Sequence, residues 1–119
     1  MADIDPQTQA LLNKPPQMAH TMSAEERAFL ELILKKIDGG SINLYRPSSL
    51  LNEVVFDALP QEAQTKADTD ASNMLAAIRE IHNLSAAGLT ETYQMENTVN
   101  RLRLTKERLE SVSGDIFII

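Results

Sequence analysis

A chain of 119 residues has room for one domain with a modest core. Its formal net charge of −6 works against phosphate backbones and anionic membrane surfaces, and the absence of cysteine excludes disulfides, thiolate zinc sites and cysteine nucleophiles. Hydrophobic residues make up 43% of the chain, yet there are only three Phe, two Tyr and no Trp, so the core must come from Leu, Ile, Val, Met and Ala, the mix of helix packing.

Residues 1–22 read as a flexible N-terminal arm. Its first twenty residues hold three of the five prolines and no sustained apolar period, apart from one helical turn around Gln9 to Leu12. The opening MADIDPQTQ is acidic and lacks the apolar stretch of a secretory signal. No apolar run approaches the ~18 residues a membrane span needs. A cytoplasmic protein without a membrane span is the expectation.

Residues 23–119 are expected to form a single helical domain. Ser23 and Glu26 form an S-x-x-E capping box ahead of a helix over about 24–37, with Phe29, Leu30, Ile33, Leu34 and Ile37 on its apolar face. Lys35 and Lys36 suit its negative end, and Gly39 can take the left-handed conformation that closes it. Next, Ile42 and Leu44 alternate with polar neighbours, as in a short extended segment or strand. A second helix, about 49–59, follows Pro47, with Leu50, Leu51, Val54, Val55, Ala58 and Leu59 sharing half its circumference. Pro60 separates it from a third helix.

That third helix, about 61–87, spans ~40 Å at 1.5 Å per residue. Ala67, Ala71, Met74, Ile78 and Ile81 step along it in heptad spacing and form a seam of mostly small residues. A fourth helix, about 91–112, carries Met95, Val99, Leu102 and Leu109 on one face. Leu89, Tyr93 and Leu104 make a second line that predicts neighbours on both sides. The heptad runs in phase from Ser85 through Gly88, Thr92 and Lys106, which one continuous helix would also produce. Gly88, Leu89 and the cap Thr90 favour a break, because glycine inside a helix costs about 1 kcal/mol. The predicted fold is therefore an all-α bundle built on a long antiparallel hairpin, with two shorter helices.

No motif of chemistry stands out. His20 and His82 are the only histidines, and the residue three before His82 is Arg79, not the glutamate of a di-iron bundle. No nucleophile elbow or glycine-rich phosphate loop is present, so neither enzyme activity, nor a cofactor, nor a metal is expected. A nucleic-acid regulator is the first alternative, and a small enzyme or metal carrier the second. Arg101, Arg103, Lys106 and Arg108 crowd one stretch, and LSAAGLTET has the small-residue turn of a helix-turn-helix. The positions that such a motif buries, six and nine after the glycine, are here Gln94 and Asn97, and the cations spread round the helix.

The sharpest functional sign is the end, SGDIFII. Chain ends are polar and frayed unless something ties them down. Ile116, Phe117, Ile118 and Ile119 either fold back onto the chain's own core, pairing with Ile42 to Leu44, or dock on another chain. The expected function is a small, non-catalytic protein–protein interaction module: an adaptor, assembly factor or chaperone-like protein. Ile42, Leu44 and Ile116 to Ile119 are its candidate partner-binding edge. The seam Ala67, Ala71, Met74, Ile78, Ile81, Met95, Val99, Leu102 and Leu109 is expected to supply internal or dimer contacts, and a homodimer is expected because a thin hairpin has little core of its own.

Overall fold

The structure, a computed structural model, describes residues 22–118. The arm before Met22 and the terminal Ile119 lie outside the described residues, as do the expected turn at Gln9 to Leu12 and His20. The described residues are mostly helical, with four α-helices and no strand.

Helix α1 runs Ala24–Asp38. Both halves of its capping box form: the Ser23 hydroxyl accepts from the Glu26 N–H at 3.1 Å, and the Ser23 N–H donates to Glu26 at 2.9 Å. Met22, just ahead of the cap, is a core residue. The helix closes one residue later than its sequence suggests, because Gly40 (φ 84°), not Gly39, takes the left-handed conformation.

The segment after α1 is not a strand. Asn43 folds it into a turn, accepting from the Tyr45 N–H on its side chain while its backbone N–H donates to the Ser49 hydroxyl at 2.8 Å. Ile42 is thereby buried in the chain's own core.

The expected second helix is two pieces, a 3₁₀ turn Pro47–Leu50 and a short α2, Glu53–Asp57. Between them Leu51 is extended and pairs antiparallel with Phe117 of the tail. Two hydrogen bonds frame this bridge: Asn52 N–H to Ile116 C=O at 2.6 Å and Ile118 N–H to Leu50 C=O at 2.9 Å. The Asn52 side chain then caps α2, accepting from the Val54 and Val55 N–H groups. Gln64 closes the far end. Its amide donates to the carbonyls of Phe56 and Leu59, both at 3.1 Å, at and just past the last turn of α2.

Helices α3 (Gln61–Ala86) and α4 (Tyr93–Val112) form the antiparallel hairpin. Gly88 (φ 76°) ends α3 in a Schellman arrangement, with Leu89 N–H to Leu84 C=O at 2.8 Å and Gly88 N–H to Ser85 C=O at 3.0 Å. The cap of α4 is Thr92, not Thr90. Its hydroxyl accepts from the Met95 N–H and donates to the Leu89 carbonyl, both at 3.1 Å, so it ties the turn shut from both sides. One continuous helix is thus replaced by a hairpin.

The core sits between α3 and α4 and extends under α1, the 3₁₀ turn and the tail. All nine seam residues, Ala67, Ala71, Met74, Ile78, Ile81, Met95, Val99, Leu102 and Leu109, are buried within this one chain. The seam packs α3 against α4 within one chain, the internal one of the two uses its spacing allows. Helix α3 also buries Leu75, Ala77 and Leu84, since it carries α4 and the 3₁₀ turn together. Two buried threonines on α4 return their hydroxyls to their own helix, Thr98 to the Gln94 carbonyl and Thr105 to that of Arg101. The second apolar line of α4 is uncovered, with Leu89, Tyr93 and Leu104 all exposed.

Candidate interaction surface

The basic stretch of α4 is built into the fold. Arg101 pairs with Glu80 of α3, and Arg108 lies 3.8 Å from Asp70 of the same helix. Lys106 pairs with Glu110 at 2.8 Å and stands 5.0 Å over the Phe29 ring. Arg103 holds α1 in a two-pronged contact, with Nε and a terminal nitrogen 2.5 and 3.0 Å from the two Glu26 oxygens. That guanidinium lowers the Glu26 carboxyl to about 2, helped by the Ser23 N–H and opposed by burial. Glu80 is likewise held below the ordinary carboxylate range, first by the Gln94 amide and then by Arg101. All four cations read as a nucleic-acid stretch therefore already face carboxylates. Arg103 ties α1 to α4, Arg101 and Arg108 face α3, and Lys106 pairs within α4.

The tail divides into an inner and an outer part. Ile116 is 0% exposed and Phe117 8%, with the Phe117 ring edge-on to Phe29 at 5.2 Å between centroids. These two residues and Ile42, read from the sequence as partner-facing, serve the chain's own core instead. Ile118 is 40% exposed and Leu44 lies at the surface, while Ile119 is outside the described residues. The tail pairs with Leu50 to Asn52 and not with Ile42 to Leu44.

Two open grooves share Ile118 and Asn52 as a common ridge. The first, about 560 Å³, is lined by Phe29, Val54, Val55 and Phe117, with Lys106, Glu110 and Asp115 as its charged groups. The second, about 450 Å³, is lined by Leu51 and Phe56, with Arg46, Glu53 and Asp57. All three phenylalanines of the chain therefore line one continuous surface. Val54, at its edge, is 79% exposed.

Val54, Phe29 and Phe56 carry no sign of this role in the sequence. Val54 shares an apolar face with Leu50 and Leu51 only if 49–59 is one helix. Once Leu51 leaves the helix to meet the tail, Val54 turns toward solvent. His82 stands in another groove, about 550 Å³, between α1 and α3, beside Arg79, Lys35 and Leu44. Among the described residues no three His, Asp or Glu side chains gather in a metal-binding arrangement, and no helix is long and apolar enough to cross a membrane. No family model, curated protein or solved structure matches this chain.

Proposed function

We propose that this chain is a non-catalytic helical interaction module, of adaptor, assembly-factor or chaperone type, acting in the cytoplasm. Its contact surface is the pair of grooves beside the tail ridge. The observation that supports this reading is the position of Val54 and Ile118, large apolar side chains left 79% and 40% exposed beside three phenylalanines. Aromatic side chains backed by a rigid element are the usual anchors of protein interfaces. Here the tail bridge and the Asn52 cap supply that rigidity. The exposed Tyr93 and Leu104 of α4 line neither groove.

Self-association across the seam has no surface left to use, because the seam is internal. We take a different protein as the module's partner. Nucleic-acid binding through 101–108 is not part of the reading, since each cation there is already paired. A photo-crosslinking residue placed at Val54, with the still more exposed Tyr45 as control, tests the proposal in the producing cells. We expect a discrete crosslinked species from position 54 and none from 45. No adduct at 54, or the same adducts from both, would contradict it.

A further inference from the structure

The charges around the ridge point to the kind of partner. Lys106 and Glu110 neutralise each other. Arg46, Glu53, Asp57 and Asp115 make no ion pair among the described residues, which leaves one cation against three exposed carboxylates. The grooves thus combine an aromatic floor with a negative edge.

We infer that this surface receives a segment of another protein that carries apolar side chains flanked by lysine or arginine. The inference rests on the association role proposed above and adds the chemistry of the partner. Apolar side chains of the segment fill the grooves at Phe29 and Phe56. Its cations meet Glu53, Asp57 and Asp115, which steers approach and fixes register.

Two other occupants fit less well. A second copy would bring the same surplus of carboxylates, Glu53, Asp57 and Asp115 against Arg46, from both sides, and like charges across an interface are repulsive. The chain's own residues 1–21 carry Asp3 and Asp5 against Lys14, so they do not supply the positive charge.

The test uses the full chain and a displayed library of random short peptides, followed by anisotropy measurements on the recovered sequences. Recovered peptides should carry net positive charge around aromatic or aliphatic residues. Val54→Lys should weaken them by about tenfold or more, as loss of an interface anchor does. The melting temperature should stay unchanged, because Val54 is exposed. Glu53→Gln with Asp57→Asn should weaken them by about threefold at low salt and little at high salt, since exposed charges are screened.

Peptides that need Val54 but are neutral or acidic would overturn the charge assignment and keep the interaction surface. Peptides indifferent to Val54, or no recovered peptide at all, would overturn both. A full chain whose mass doubles with concentration, and whose doubling Val54→Lys abolishes, would make a second copy the occupant and overturn the inference.

Discussion

Glu26 and Asn52 each join two layers of structure. Glu26 completes the capping box of α1 and grips Arg103 of α4. Its carboxyl is lowered in the folded chain from the ordinary 4.5 to about 2 by the Arg103 contact. A carboxylate depressed in this way adds stability that is full above its ordinary value and fades as pH falls toward its folded value. Glu26→Gln should therefore cost about 1 kcal/mol at neutral pH, as a partly exposed ion pair does. The variant and the native chain should then converge in stability between pH 4.5 and about 2. Thermal melts across that window check it, and parallel curves at every pH would contradict it. Neighbouring tail residues should differ just as sharply. Ile116→Ala empties a fully buried site and should cost about 2–5 kcal/mol. Ile118→Ala, at a surface position, should stay within about 0.5 kcal/mol. Urea unfolding separates the two.

At the level of elements, what could be read from sequence follows the range of the contacts. The capping box of α1, the glycine break at Gly88 and the seam of α3 and α4 are signals within a few residues or at fixed helical spacing, and each has its counterpart in the structure. Leu51 is different. Its local pattern is that of a helix, and only a partner 66 residues later in the chain, Phe117, makes it extended. The same long-range bridge moves Val54 out to solvent, so the candidate surface was hidden from any local periodicity. The use of the seam also turns on geometry. Heptad spacing fixes which residues face inward, not whether the facing helix belongs to the same chain. The hairpin turn offers its own check. Gly88→Ala places a side chain at φ 76° and should cost about 1–2 kcal/mol by the left-handed penalty. A stability change near zero would show that the turn relaxes into another form. Asn52→Ala should cost about 1 kcal/mol for the lost cap while the tail contact, made by the backbone, is retained.

For the whole molecule, the structure reassigns what the seam and tail do. Apolar residues that suggested assembly close a single chain: the seam joins α3 to α4, and the tail pins the 3₁₀ turn and α1 over them. The surface we propose for a partner is the ridge and its two grooves. The most direct measurement is the solution mass and urea stability of the full chain beside a chain ending at Gly114. The full chain should be monomeric, and the shortened chain should lose about 3–6 kcal/mol from the removal of Ile116 and Phe117, most of the stability of a small domain. A full-length dimer that becomes a stable, folded monomer on shortening would contradict it, because the tail would then be working between chains.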